Sequence, residues 1–287
     1  MSADGETITL KKFKGHASEP SYVTPEWLAQ NAALVGNGVV LDIETTGLNR
    51  AVDRIIEIGL RSFTFHRETG EVLVYGGTVS QLQDPRMPLV DKVKRLTGLD
   101  DAMLAGHQIN WPAVDAQLAV ADIVIAHNAS FDRPFVEKHS SISASKVWGC
   151  SLKQIDWDSK GFPMMKLEAL GYFHGFFGES HRALNDSDFL LHFLSMPDAA
   201  SGKPYLSELL QNALRPLVHM KATSSPFESK DALKDRGYGW DPVAKCWKKT
   251  LFRDALTEEI SWLEVTVYKG SFRGVYQELG ISDNFKE

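Results

Sequence analysis

The sequence predicts an α/β protein: a mixed five-stranded sheet flanked by helices, followed by a small α+β C-terminal module. Three observations lead there. Apolar runs over 38–43, 55–60 and 72–77 are joined by short connections and read as an antiparallel meander. A short buried strand over 121–126, the helix after it and a further apolar run at 147–152 add a β-α-β passage. Helical periodicity then stops at 195–204, where Met196-Pro197, Ser201-Gly202 and Pro204 cluster. The expected domains are an N-terminal extension (1–35), a main domain (36–197) and the C-terminal module (205–287).

The elements follow in order. The extension carries Lys11, Lys12 and Lys14, with Trp27 and Leu28 as candidates to dock on the main domain. Glu68-Thr69-Gly70 is a turn signal that makes the second and third strands a hairpin. Pro85 and Pro88 break the sheet, and a short helix over 92–97 stops at Gly98. Periodicity gives another helix over 111–120. Ser130 is the expected N-cap of a helix running to about His139. Helices are expected over 167–173 and 183–194, the latter with Leu184, Leu190, Leu191 and Leu194 on one face.

Composition narrows the classes. The chain has 287 residues, 43% hydrophobic and 24% charged, which suits a globular protein of one large and one small domain. A net charge of −6 gives no global attraction to nucleic acid, so any such contact is local or metal-mediated. Two distant cysteines, Cys150 and Cys246, argue against a disulfide framework and fit a reducing, cytoplasmic setting. The polar start, Met1 to Thr7, has no apolar signal segment after it. No apolar run approaches the ~20 residues that span a bilayer, so no membrane partner is expected.

The chemistry concentrates at Val39-Val40-Leu41-Asp42-Ile43-Glu44-Thr45-Thr46-Gly47. Residues two apart on a strand share a face, so Asp42 and Glu44 point the same way off the end of a buried strand. Adjacent carboxylates repel and are costly to desolvate; a hard divalent cation relieves both costs. A solvated strand end is the competing reading of this pair alone. Two further segments raise the odds: His127-Asn128-Ala129-Ser130-Phe131-Asp132 after a buried strand, and His181-Arg182-Ala183-Leu184-Asn185-Asp186 leading into the last clear helix. Four carboxylates and a histidine form the inventory of phosphodiester hydrolysis, in which two metals about 4 Å apart stabilise the attacking and leaving oxygens and a histidine takes a proton.

These three segments, in this order and spacing, resemble the three exonuclease motifs of the DEDDh 3′→5′ exonucleases, the family that includes the epsilon proofreading subunit of bacterial DNA polymerase III and RNase T. The resemblance covers roughly 36–197. It implies a ribonuclease-H-like fold. It also implies that Asp42, Glu44, Asp132 and Asp186 ligate two Mg²⁺ or Mn²⁺ ions and that His181 is the general base. The Thr45-Thr46-Gly47 turn would approach the terminal nucleotide through its backbone or hydroxyls. Leu48 would pack on the terminal base, and Asn128 would shape the turn beside the substrate. The implied substrate is nucleic acid with a free 3′ end, DNA favoured, released as nucleoside 5′-monophosphates; a polymerase or repair partner is consistent with it. Leu96-Thr97-Gly98-Leu99 with Met103-Leu104 also resembles a segment common before the second motif. Trp148-Gly149-Cys150-Ser151 departs from the pattern, standing where many relatives have an Asp-Thr pair.

Ordinary readings accompany the neighbours. Asp188 reads as a solvated helix residue, since the His-x4-Asp spacing selects Asp186. His127 reads as a hydrogen-bonded histidine and His174 as structural or exposed. Glu57 is either another acid near the metals or a strand-face partner of Arg54 or Arg61. An exoribonuclease, or a non-catalytic binding or polymerase-associated scaffold, are the alternatives. A scaffold has no need of four repelling acids. Gln81-Leu82-Gln83-Asp84-Pro85 is too weak to be a clamp-binding peptide.

In the C-terminal module, residues 221–253 hold eight Lys and Arg against four acids, interleaved with Tyr238, Trp240 and Trp247. That pattern suits single-stranded nucleic acid. In a module this small, however, Trp240 and Trp247 are expected to form the core, with lysines as rim. A short helix ends at Gly237, and two aromatic strands flank a turn at Asp241-Pro242.

Overall fold

The computed structural model describes residues 9–16, 20–178 and 181–286. The start from Met1 to Thr7 lies outside the described residues. The chain divides into two units, Met1–Ala213 with Phe285–Glu287, and Leu214–Asn284.

In the first unit the elements are β1 (Lys11–Lys12), α1 (Pro25–Gln30), β2 (Val35–Thr45), β3 (Ile55–His66), β4 (Val72–Leu82), α2 (Asp91–Thr97), α3 (Asp101–Leu104), α4 (Trp111–Val120), β5 (Ile123–Ala126), α5 (Ala129–Val136), α6 (Ser141–Ser145), β6 (Val147–Cys150), α7 (Leu167–Phe173), β7 (Phe176–Phe177), α8 (Ala183–Ser195) and α9 (Tyr205–Ala213). The main sheet has the order β4-β3-β2-β5-β6. β2, β3 and β4 are antiparallel, whereas β5 and β6 run parallel to β2. This is the mixed five-stranded sheet that the meander and the β-α-β passage predict.

Strand alternation sorts β2 between two apolar layers. Val39, Leu41 and Ile43 enter the layer of α4 and α5, with Leu118 and Phe135. Val40 enters the layer of α8 and α9, with Leu190 and Leu209. Asp42 and Glu44 continue the second set, so they emerge on the α8 side. Across β3 they pair with Gly59 and Glu57. Gly59 is what lets α8 lie there: a Cβ on it would sit 2.0 Å from Leu184 N and 2.1 Å from the Ala183 carbonyl carbon. The same approach reshapes the expected apolar face of α8. Leu190, Leu191 and Leu194 are buried, but Leu184 is only half-buried, and small Ala183 and Ser187 face the sheet instead. Ser187 Oγ donates to the Gly59 carbonyl at 3.0 Å.

Three other expectations are corrected. Ser130 does not cap α5. Asn128 does, in the left-handed region at φ 86°, and Ser130 is already helical, its hydroxyl accepting from Lys153. Asn adopts that conformation more readily than most residues, so it turns the chain directly from β5 into the helix. The helix ends at Val136, short of His139. The unit boundary falls after Ala213 rather than within 195–204, because Leu206, Leu209 and Leu210 of α9 are buried in the α8 layer. Trp27 and Leu28 of α1 stay half-buried, with the Trp27 ring against Tyr22 at 5.3 Å.

The second unit holds β8 (Leu217–Ala222), α10 (Lys230–Asp235), β9 (Gly239–Asp241), β10 (Cys246–Phe252), α11 (Leu256–Trp262) and β11 (Val275–Leu279). Its antiparallel sheet has the order β11-β8-β10-β9. Val218, Met220 and Leu251 form the core with Leu233, Leu256 and Leu263. Trp247 packs on the edge of that core, but Trp240 is 51% exposed. Trp240 lies on the edge strand β9, where its cross-strand neighbour is Trp247, at 5.6 Å. Much of the basic stretch is spent internally: Arg236 and Lys249 bind Glu259, Lys248 binds Asp241 and Arg253 binds Glu278. The excess of positive charge in the sequence therefore does not become an open basic face of these residues.

Gly59→Ala is expected to lower the unfolding free energy by about 1–3 kcal/mol, the usual cost of forcing atoms into a packed interior. In Gly77→Ala the added Cβ meets nothing within 4 Å, so the change is expected within about 0.5 kcal/mol. Urea denaturation of the two variants measures the difference.

Candidate active site

β2, α5 and the start of α8 converge on one cavity of about 650 Å³ that Asp42, Glu44, Asp132, His181 and Asp186 all line. All five residues from the three sequence segments therefore meet. Carboxylate oxygens of Asp42, Glu44 and Asp186 lie within 4.8 Å of one another. Asp132 lines the same cavity outside that triplet and is buried, accepting from the backbone N–H of Ile43. Asp186 accepts from the backbone N–H of His181 at 2.8 Å.

The electrostatics of this group are those of crowded acids. Burial, then the charges of Asp132, Asp186 and Glu44, holds the Asp42 carboxyl well above the usual carboxylate range. Burial, and then Asp186, pushes Glu44 up to about 8. Asp132 is raised to about 8 and Asp186 to about 7, chiefly by burial. An all-oxygen donor set with this mutual repulsion fits a hard divalent cation, which neutralises the group without asking it to protonate. Softer metals are poorly served, since no sulfur or imidazole belongs to the triplet.

His181 enters from a backbone in the left-handed region, φ 64°. Its Nε2 lies 3.5 Å from Glu168 Oε1, and its side chain is 42% exposed at the cavity rim. Glu168, on α7, also lines the cavity, and no motif in the sequence marks it. Arg182 is likewise unmarked by any local pattern. Its Nε and Nη2 donate to Glu57 at 3.1 and 3.0 Å, and Ala183 N–H adds a third bond at 3.3 Å. Glu57 is buried at 1% exposure. It thus pairs with neither Arg54, which donates to the Pro85 carbonyl, nor Arg61. Arg61 is four residues further along the strand, roughly 13 Å away, and holds Asp188 in a bidentate pair at 2.6 and 3.0 Å. Asp188 is therefore a structural anion rather than a solvated one, with His16 on its other side.

The remaining expected residues divide. Asn128 lines the cavity. Thr45 and Thr46 do not, and their hydroxyls are spent within the turn: Thr45 Oγ1 donates to the Gly47 carbonyl at 2.6 Å, and Thr46 Oγ1 donates to Asp53 at 2.8 Å. Gly47 is needed there, since a Cβ would meet the Asp53 carboxylate at 2.6 Å. Leu48 projects from the turn at 83% exposure. His127 is the hydrogen-bonded residue expected. Its Nε2 donates to the Met165 carbonyl at 2.8 Å, which leaves Nδ1 to accept from Ser151 at 2.8 Å. Ser151 thus has a defined task at the point where the segment departs from the motif pattern. His174 is structural, bound to the Leu170 carbonyl and the Tyr205 hydroxyl.

A family model described as exonuclease, RNase T, matches residues 39–192. The chain belongs to this exonuclease family. Its motifs are of the DEDDh 3′→5′ type. Among similar proteins, the PolC-type DNA polymerase III of Caldanaerobacter subterraneus subsp. tengcongensis is 29% identical over 164 residues, 54% of this chain and 11% of that protein. That of Bacillus subtilis strain 168 is 29% identical over 189 residues, 61% and 12% of the two. The exonuclease chain thus spans about a tenth of the length of these relatives. Among solved structures, exonuclease X in complex with 5′ overhanging duplex DNA aligns with a TM-score of 0.41 at 21% identity, covering 61% of this chain and 90% of that one.

Two outcomes follow for the exonuclease unit. Arg182→Met strips the buried Glu57 carboxylate of its bidentate partner and is expected to lower stability by about 1–3 kcal/mol, read by denaturant titration. Burial lowers His127 from its usual value near 6.5 to about 4. Between those values the unfolded chain binds a proton that the folded chain refuses, so folding weakens as pH falls through that window. The melting temperature of the natural protein should accordingly drop more steeply than that of His127→Gln on acidification from pH 6.5 to 4.

Proposed function

We propose that this exonuclease hydrolyses phosphodiester bonds from the 3′ end of nucleic acid, preferentially DNA, releasing nucleoside 5′-monophosphates with the aid of divalent metal. The observation that carries the reading is the convergence of Asp42, Glu44, Asp132 and Asp186, from three separate segments, on one cavity with His181 at its rim. Asp42, Glu44, Asp132 and Asp186 would hold two Mg²⁺ or Mn²⁺ ions. When bound, such ions stabilise the negative charge that develops on the attacking and leaving oxygens. His181 takes the proton of the attacking water, from a rim position that combines a titratable nitrogen with solvent access. Glu57 and Arg182 fix the chain from which His181 and Asp186 both extend. The Thr45-Thr46-Gly47 turn offers backbone to the terminal nucleotide, while exposed Leu48 is available to its base.

DNA is favoured because the relatives are named as DNA polymerases. The same likeness supports a polymerase or repair partner, and the two buried, unpaired cysteines fit a cytoplasmic setting.

Degradation of 5′-labelled single-stranded DNA, duplex DNA and RNA, with Mg²⁺, Mn²⁺ or chelator, tests this directly. A metal-dependent ladder shortening from the 3′ end is expected, fastest on DNA. Asp42→Asn should lose activity by about 10²–10³-fold, the scale seen when a group stabilising developing charge is removed. Its melting temperature without metal should equal or exceed that of the natural chain, since one repelling charge is gone. Full hydrolysis by Asp42→Asn would overturn the proposed role of the carboxylates.

A further inference from the structure

The run Pro163-Met164-Met165-Lys166 leads into α7. It is irregular and exposed along its length, yet Met165 and Lys166 line the active-site cavity. A stretch with so little packing holds a fixed place only if it is tethered. His127 supplies the tether. Its Nε2 donates to the Met165 carbonyl at 2.8 Å, and its Nδ1 accepts from the Ser151 hydroxyl at 2.8 Å. Ser151 is itself fixed, its backbone N–H donating to the Ala126 carbonyl at the end of β5 at 3.1 Å. The run is thereby fastened to the strand ends from which Asn128 and Asp132 follow. Two residues beyond Lys166, Glu168 lies 3.5 Å from His181 Nε2, so the run borders the cavity on the side of the proposed base.

Among the described residues that line this cavity, Lys166 is the only lysine or arginine. It stands against five carboxylates, those of Asp42, Glu44, Asp132, Glu168 and Asp186. Its ammonium forms no hydrogen bond or ion pair with any of them, nor with any other described residue. The acids repel an incoming phosphodiester, and a cation in the same wall offsets part of that repulsion. A lysine is a compact charge with three donors on a flexible stem, which suits a single phosphate oxygen.

We infer that Lys166 grips a non-bridging oxygen of the scissile phosphate, and that His127 and Ser151 are the latch that keeps it within reach. The grip rests on the exonuclease reading above and adds to it a substrate-binding residue and a positioning pair. Its partner is a phosphate, so it sets affinity and placement without reading sequence.

The test uses the full chain with Mg²⁺. Hydrolysis of the p-nitrophenyl ester of thymidine 5′-phosphate, whose one phosphate is the one cleaved, is measured for the natural protein, Lys166→Met and Lys166→Arg. Lys166→Met should lose about 10- to 100-fold in kcat/KM, the scale of one hydrogen bond to a charged group. Lys166→Arg keeps the charge and should retain most of the activity. In ligand-observed NMR, Lys166→Met should bind thymidine 5′-monophosphate more weakly by a similar factor, and thymidine, which has no phosphate, as the natural protein does. His127→Phe removes the latch and leaves Lys166 in the chain, so it should also weaken monophosphate binding. Ser151→Ala, a smaller change in the same pair, should act in the same direction. The double variant His127→Phe/Lys166→Met should bind no worse than Lys166→Met, because the two losses share one contact. Natural monophosphate binding by Lys166→Met overturns the grip, and so does an equal loss of monophosphate and thymidine binding. Natural monophosphate binding by both latch variants, or additive losses in the double variant, overturns the latch. If the natural protein cleaves neither the ester nor an oligonucleotide, the exonuclease reading fails and the grip falls with it.

Discussion

The cost of gathering carboxylates at the end of β2 governs the rest of the first unit. Asp42, Glu44, Asp132 and Asp186 are each raised by burial first and then by neighbouring carboxylates, which for Asp186 are Glu168 and Glu57. A fold that tolerates this must hold the acids in place by contacts that do not depend on their charge. The packing beneath them supplies those contacts. Val39, Leu41 and Ile43 seat β2 against α4 and α5. On the other face Gly59 admits α8 to backbone contact with β3. The fifth acid, Glu57, would worsen the repulsion were it not bound in three places by Arg182 and Ala183. The excess negative charge is thus balanced next to the site, by a cation that belongs to the same short segment as the proposed base.

Much of this is legible in the sequence, for reasons that can be named. The strand-to-turn passage at Asp42–Gly47 and the acid on the first turn of α8 are local patterns, and local spacing decides which face each acid takes. Their meeting is legible only through the order and spacing of three motifs, which match a known family. The misreadings share another cause. Asp188 reads as solvated and Glu57 as ambiguous because their partners, Arg61 and Arg182, lie 127 and 125 residues away. Nothing in one strand or one helix reports such a pairing. Periodicity puts Leu184 on the buried face because it counts apolar residues, whereas close approach to Gly59 selects small ones. The end of the first unit is misplaced because a Pro- and Gly-containing turn reads as a boundary whether or not the next helix folds back.

The C-terminal unit shows the limit of charge counting. Eight cations against four acids over 221–253 read as an open basic surface. Several of those cations instead close onto acids from outside the stretch, Glu258, Glu259 and Glu278 among them. What remains outward is mixed: Lys230, Lys234 and Lys245 are exposed, and so is Trp240 at the sheet edge beside Trp247.

His181 and Asp186 are joined by a backbone hydrogen bond of 2.8 Å across a residue at φ 64°. The proposed base and the proposed ligand are in this way one mechanical part. A substitution that retunes the carboxylate also moves the imidazole, and one that relaxes the left-handed residue releases a contact of the carboxylate. Natural variation in this segment can therefore preserve or abandon the pair together, but it has little room to improve either function separately. Adjustment of specificity is left to surfaces mechanically independent of it, such as the exposed Leu48 turn.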